Sequence, residues 1–200
     1  MATRFGGVVK AAVPALAGRS FLSLKLGGIR MAAEQLEARV PAFVMTSFAT
    51  DAEIRRMLPE LDCSAVPSSA FAQFISLRLK PDGELFHDGK ALSPYAPGHG
   101  DLTFALRRSG VLEKFLSEGG RVLYMSNVDN LAATLDPAVI GAHLASGKAV
   151  TAEVVSKDPG DAGGAPARVD GVVQIVESFR FPEGFDEASI PVFNVNSFVL

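Results

Sequence analysis

The feature that most narrows the fold is an alternation of period along the chain. Phe21 to Arg39 places Leu22, Leu26, Ile29, Ala33 and Leu36 near helical spacing behind Ser20, a suitable N-cap, whereas Ala42 to Thr46 is a short run of strand character. Thr50 with Glu53 forms a capping-box pattern ahead of Ile54 and Leu58, so the spacing predicts a second, shorter helix at the end of that strand. Ser76 to Lys80 alternates like a strand, Pro81-Asp82-Gly83 is turn chemistry, and Glu84 to His87 returns as the other arm of a hairpin. Asp101 can cap a helix through Arg108, and Gly110 to Ser117 continues helical until Gly119-Gly120 stops it. Arg121 to Met125 reads as a buried strand ending in a polar cluster, and Asp136 to Leu144 as another helix. Ala149 to Val155, Gly171 to Val176 and Pro191 to Leu200 read as strands. Strands alternating with helices predict an α/β fold with a mostly parallel mixed sheet and helices on both faces. Ligands of such sheets settle in the crevice beyond the carboxyl ends of the strands, which is where the polar clusters of this chain fall.

Two hundred residues, 48% of them hydrophobic, suffice for one domain spanning 1–200 with a real core. Nineteen lysines and arginines against 22 acids give a net charge of -3, so no excess of positive charge drives binding to nucleic acid or to anionic lipid. A bound phosphate must therefore be met by local groups. The single cysteine, Cys63, cannot close an internal disulfide and fits a reducing, cytoplasmic compartment. Ala2 to Gly18 superficially imitates a signal peptide, but Lys10 and Pro14 interrupt it, and no stretch reaches the ~18 apolar residues of a membrane span.

Four clusters carry the chemistry. Ala2-Thr3-Arg4-Phe5-Gly6-Gly7 with Lys10 is a small-residue loop bearing two cations, able to bring backbone amides and positive charge to a triphosphate or to be an ordinary tail. Pro97-Gly98-His99-Gly100-Asp101 is an unusual turn in which backbone can pass close to a flat ring; a plain turn with Asp101 as N-cap is the competing account. Ser126-Asn127-Val128-Asp129-Asn130 sets a carboxylate among amides at a strand tip. Such a place suits Mg²⁺, which takes one or two carboxylates plus phosphate oxygens, and equally suits a polar turn with Asp129 capping a helix. Gly163-Gly164, Glu177, Asn194 and Asn196 supply the amides and carboxylate that hydrogen-bond sugar hydroxyls, each commonplace alone.

Taken in order, these residues resemble the UDP-glucose and UDP-sugar pyrophosphorylase family, of the type shared with UDP-N-acetylhexosamine pyrophosphorylases. Phe71-Ala72-Gln73 with Arg78 is similar to the family's F-x-Q segment, Pro97 to Asp101 to its P-G-H-G-D loop, Ser126 to Asp136 to its S-N-x-D-N-L-x-A-T-x-D segment, and Phe193 to Asn196 to F-N-x-N. The resemblance covers essentially the whole chain and implies a GT-A-like, Rossmann-like nucleotidyltransferase domain. It further implies that Gln73 and Gly98 contact uracil, with Thr3, Gly6, His99 and Asn127 also on the nucleotide. Arg4 and Lys10 would meet the phosphates, Asp129 the Mg²⁺, and Gly164, Glu177 and Asn194 or Asn196 the sugar.

The implied reaction joins UTP and a hexose-1-phosphate, glucose-1-phosphate first and N-acetylhexosamine-1-phosphate as the alternative, into UDP-sugar and pyrophosphate. The nucleophile is already an anion, so the chemistry consists of aligning two polyanions while offsetting their repulsion. Ala2 and Ala132 stand where the family usually has glycine. The resemblance also implies a first strand and half of the phosphate loop before Met1, and a further phosphate-binding lysine beyond Leu200. On that expectation the chain is truncated at both ends, and a non-catalytic nucleotide-sugar binding module or an inactive fragment is the competing reading.

Overall fold

The computed structural model describes residues 8–158, 160–161 and 163–200. The chain divides into two compact units, Met1–Arg121 and Val122–Leu200.

In the first unit a short 3-10 turn, Lys10–Ala12, leads into the hairpin of β1 (Pro14–Leu16) and β2 (Arg19–Ser20). Helix α1 (Phe21–Gln35) follows, and Ser20 caps it, its hydroxyl accepting the Ser23 N–H at 3.2 Å. The helix buries Leu22, Leu26 and Ala33 as the spacing requires. It ends at Gln35 rather than Arg39, because Glu37 turns left-handed (φ 49°) and the Ala38 N–H reaches back to the Ala33 carbonyl at 2.9 Å, a closure that leaves Leu36 exposed.

Strand β3 (Ala42–Thr46), helix α2 (Asp51–Leu61) and strand β4 (Ser68–Ala72) form a βαβ unit whose strands pair in parallel, Ala42 opposite Ser68 through Thr46 opposite Ala72. The expected capping box is not formed. Thr50 lacks the extended conformation of an N-cap (φ -121°, ψ -12°), its hydroxyl accepts the Ser47 N–H at 2.9 Å, and Glu53 pairs with Arg56 at 2.7 Å. The start of α2 is fastened instead by Asp51, which receives the hydroxyl of fully buried Thr46 at 2.6 Å and the Arg55 guanidinium at 2.8 Å.

Two-residue strands β5 (Ser76–Leu77), β6 (His87–Asp88), β7 (Ala91–Leu92) and β8 (Pro94–Tyr95) make up the hairpin region. Its tip is the expected Pro81-Asp82-Gly83 turn, closed by the Lys80 N–H to the Glu84 carbonyl at 2.8 Å. Arg78 is held there by Ser93, to whose hydroxyl it donates at 2.7 Å. Helices α3 (Leu102–Arg108) and α4 (Val111–Ser117) complete the unit, with Phe43 of β3 meeting Phe115 of α4 edge-on at 5.7 Å. The core comprises Leu22, Leu26, Ile54, Leu58, Val66, Phe71, Ala105 and Leu106.

In the second unit β9 is only Tyr124–Met125, half-buried, where a buried strand from Arg121 is expected. The reason lies just upstream: the Gly120 N–H is taken by the Phe115 carbonyl at the end of α4, so the ladder starts at Leu123. Helix α5 (Pro137–Ser146) is capped by Asp136, which accepts the Ala138 N–H at 2.8 Å. Strands β10 (Thr151–Ser156), β11 (Ala165–Val169), β12 (Val172–Val176) and β13 (Val192–Val199) follow. Their order is β10-β13-β9 in one antiparallel sheet, with β11 and β12 as a separate hairpin. The elements thus mix helix and strand as expected, but among the described residues the only parallel pair is β3 with β4. Asp170-Gly171 shows why for one pair: two consecutive positive φ values (49° and 81°) make a two-residue turn, and strands joined so tightly must run antiparallel.

Candidate functional site

In the first unit the candidate nucleotide contacts converge at the carboxyl end of a parallel strand. Gln73 directly follows β4, its N–H continuing the ladder to the Thr46 carbonyl at 2.8 Å. Its side-chain Oε1 accepts the Gly98 N–H at 2.8 Å, and the next N–H, that of Phe74, donates to Oδ2 of Asp101 at 2.6 Å. Two segments far apart in sequence thus exchange one backbone donor each for one side-chain acceptor. Asp101 does begin the chain's entry into α3 but does not cap it, since it is itself helical (φ -85°, ψ -8°) and its carboxylate is turned to Phe74. The account of Pro97 to Asp101 as a plain turn with an N-cap therefore fails on the cap. Gly98 sits at φ 97°, ψ -161°, a region essentially reserved for glycine, and the space a Cβ would occupy there is open. A flat ring can approach that face. His99 is exposed, and the Arg108 guanidinium lies 4.7 Å above the Phe74 ring.

A backbone N–H bonds only to the oxygen of a primary amide, so the Gly98 contact fixes which way round the Gln73 amide stands. Its Nε2 is then the end of the amide that does not meet the Gly98 N–H. Of the phosphate-loop residues, Thr3, Arg4 and Gly6 lie outside the described residues, while half-buried Lys10 opens the 3-10 turn that packs on α1 and α2.

In the second unit the Ser126 to Asn130 segment is a turn, closed by the Asn130 N–H on the Asn127 carbonyl at 3.2 Å. Asp129 caps no helix, for the helix that follows starts at Pro137 with its own cap in Asp136. Asn130 ties the turn to β13, its Nδ2 donating to the Val195 carbonyl at 3.3 Å and to Ser197 Oγ at 3.4 Å while its Oδ1 accepts the Ala133 N–H. The loop carrying Asn127 and Asp129, both half-buried, is thereby attached to the strand carrying Asn194 and Asn196. One carboxylate among amides is a donor set that suits a hard cation completed by phosphate oxygens and water. Among the described residues no group of three or more His, Cys, Asp or Glu could hold a metal ion by itself.

The four candidate sugar residues do come together. The Gly164 carbonyl accepts the Asn194 N–H at 2.7 Å, and a Cβ on Gly164 would stand 3.1 Å from Oε1 of Glu177 and 2.9 Å from Cγ2 of Ile175. Glycine is thus what lets the exposed Glu177 carboxylate lie across the main chain here. Strand β13 bulges between Asn194 and Phe198, with Asn196 left-handed at φ 57°, so the two amides fall side by side. Asn194 Nδ2 donates to Asn196 Oδ1, and the Asn196 N–H to Asn194 Oδ1, both at 3.0 Å. Asn194 is buried and these bonds occupy it, which leaves half-buried Asn196 as the more available amide.

Sequence reasoning missed three supports. Asp101 was expected only as an N-cap, not as the acceptor of the Phe74 N–H, and Asn130 stood inside its motif without a role. The third is Ser178, whose hydroxyl lies 3.3 Å from the Gly163 carbonyl and 3.0 Å from Glu187, itself paired with Lys157 at 3.0 Å. The Lys157 ammonium, with the Ser178 hydroxyl, holds the Glu187 carboxyl below its ordinary pKa. Burial pushes the Tyr124 phenol, which bonds Glu153, above its ordinary value.

Solved structures share this arrangement of elements. UDP-glucose phosphorylase of Trypanosoma brucei superposes with a TM-score of 0.79 at 23% identity, covering 96% of this chain and 44% of its own. UDP-N-acetylglucosamine pyrophosphorylase of the same organism gives 0.77 at 23%, covering 95% and 43%. These likenesses show a GT-A-like fold of the α/β class. A family profile described as UTP--glucose-1-phosphate uridylyltransferase matches residues 1–198, and the enzyme of that name from Saccharomyces cerevisiae is 30% identical over 184 residues, 89% of this chain and 37% of the yeast protein. The chain belongs to the UTP--glucose-1-phosphate uridylyltransferase family. It spans about two fifths of the length of the curated relatives it matches.

Proposed function

We propose that this chain forms the nucleotide- and sugar-binding part of a cytoplasmic uridylyltransferase that makes UDP-sugar and pyrophosphate from UTP and a hexose-1-phosphate, glucose-1-phosphate foremost. The observation that carries this reading is the Gln73–Gly98 bond, which presents one oriented amide donor beside a glycine face open to a flat ring. Uracil offers the matching acceptor and the matching plane. Gln73 and Gly98 hold the base, Thr3, Gly6, His99 and Asn127 serve the nucleotide, and Arg4 and Lys10 receive the phosphates. Glu177 and Asn196 take the sugar hydroxyls over Gly164, with Asn194 holding Asn196 in place. A phosphate oxygen of the sugar-1-phosphate attacks the α-phosphorus in line and pyrophosphate departs, so positioning and charge neutralisation supply the catalysis. Asp129 would hold Mg²⁺, which would supply positive charge to the phosphates.

Pyrophosphate release from UTP plus glucose-1-phosphate by the purified chain, with and without Mg²⁺, tests this directly. UDP-glucose binding without any release would leave a binding module and sink the catalytic reading. The structural likeness to a UDP-N-acetylglucosamine pyrophosphorylase supports one second reading, N-acetylhexosamine-1-phosphate as the sugar substrate, and the same assay run with that sugar decides it.

A further inference from the structure

Asp101 has a carboxylate but no role in the chemistry proposed above, and its one clear bond is across to another segment. Its Oδ2 receives the Phe74 N–H at 2.6 Å, while the residue before Phe74 sends its side-chain oxygen to the Gly98 N–H at 2.8 Å. Gly98 and Asp101 are themselves joined, the Asp101 N–H donating to the Gly98 carbonyl at 3.1 Å. These bonds close a ring: Gln73 side chain, Gly98, the short turn to Asp101, its carboxylate, Phe74, and back to Gln73. A hydrogen bond to a charged acceptor is the strongest link in such a ring, and the half-buried Asp101 supplies it.

We infer that Asp101 is a positioning residue for base selection, acting through Gln73: it holds the loop bearing Gly98 against the end of β4, and so keeps the Gln73 amide from turning over. The inference rests on the uridylyl reading and deepens it. With Oε1 committed to Gly98, the amide shows the base only N–H donors, which match a uracil carbonyl and oppose the amino group that cytosine carries at the same ring position. Once the loop is released, the Gly98 N–H no longer dictates the orientation. The amide can then turn and offer its oxygen to the cytosine amino group, and discrimination between the bases falls.

The experiment measures UTP and CTP binding to the full chain by calorimetry, in the parent and in Asp101→Ala and Asp101→Asn. The parent is expected to prefer UTP. Asp101→Ala loses that preference by about tenfold or more, the scale of one oriented hydrogen bond. Asp101→Asn, whose amide oxygen still accepts the Phe74 N–H, recovers most of it. Selectivity unchanged in Asp101→Ala overturns the inference, and so does Asp101→Asn behaving as badly as Asp101→Ala. If Asp101→Ala does not fold, Asp101→Glu replaces it, since it keeps the charge but displaces the carboxylate by one methylene; undiminished selectivity there is equally fatal. A parent chain that binds neither nucleotide overturns the uridylyl reading itself, an outcome distinct from failure at the variants.

Discussion

Gly98→Ala isolates the backbone contribution of the clasp. Gly98 lies at φ 97°, ψ -161°, and no atom comes within 4 Å of a Cβ built there, so the substitution introduces strain without collision. Holding a non-glycine residue in such a region costs about 1–3 kcal/mol. If the loop relaxes to escape the strain, the Gly98 N–H leaves Gln73 and the 2.8 Å bond is lost, which costs about 1 kcal/mol and frees the amide. Either route lowers stability by about 1–3 kcal/mol, and the second also weakens UTP binding. Urea denaturation with Gly100→Ala as reference provides the measure, because Gly100 likewise meets nothing within 4 Å yet has no positive φ. Gly100→Ala should stay within about 0.5 kcal/mol of the parent. Equal effects at the two positions, or a Gly98→Ala protein with parental stability and UTP affinity, would refute the reasoning.

Gly164→Ala places a methyl 2.9 Å from Ile175 and 3.1 Å from Glu177, so it should lower stability by about 1–3 kcal/mol and weaken UDP-sugar binding; parental sugar affinity would remove Gly164 from the site. Asp129→Ala should abolish pyrophosphate release while the circular dichroism spectrum and unfolding midpoint persist, and a near-parental rate would dismiss the metal assignment. Hydrogen bonds from Arg55 first and Thr46 second lower the Asp51 pKa below its ordinary 3.8. The stability this contributes is complete above that ordinary value and is lost as pH falls through the lower folded-state value. Acid titration of unfolding should therefore be shallower over that range in Asp51→Asn, and identical slopes would contradict the assignment.

The order of helices and strands was legible because period survives in sequence: α1, β3, α2 and α5 fall where apolar spacing puts them. Several strands were not, among them the short β1 and β2, β7 and β8 where a loop to Gly100 is expected, and the longer β4 and β11. Ser68-Ser69-Ala70 has little strand propensity, and β4 exists because five successive residues pair with β3. Strand β11 hid behind the glycine-rich run, although Asp170-Gly171 was a usable hairpin signal. Site chemistry was legible by residue type, since amides, a carboxylate and glycines stand in ordered motifs. What the sequence could not convey is who bonds whom. Gln73 meets Gly98 across 25 positions and Asp101 meets Phe74 across 27, and no local spacing encodes such a pairing. The β13 bulge was likewise hidden, because Asn194 to Asn196 reads as ordinary alternation until a left-handed residue turns both amides together.

Because the clasp is made from two main-chain donors and only two side chains, its demands on the genetic text are sparse. In a saturation library scored for UTP selectivity, intolerance should concentrate at Gln73, Gly98 and Asp101. Exposed Ala72, Pro97 and Gly100, interleaved with them, should accept broad replacement without loss of base choice. Phe74 should tolerate most side chains but reject proline, the one residue without the N–H that Asp101 receives.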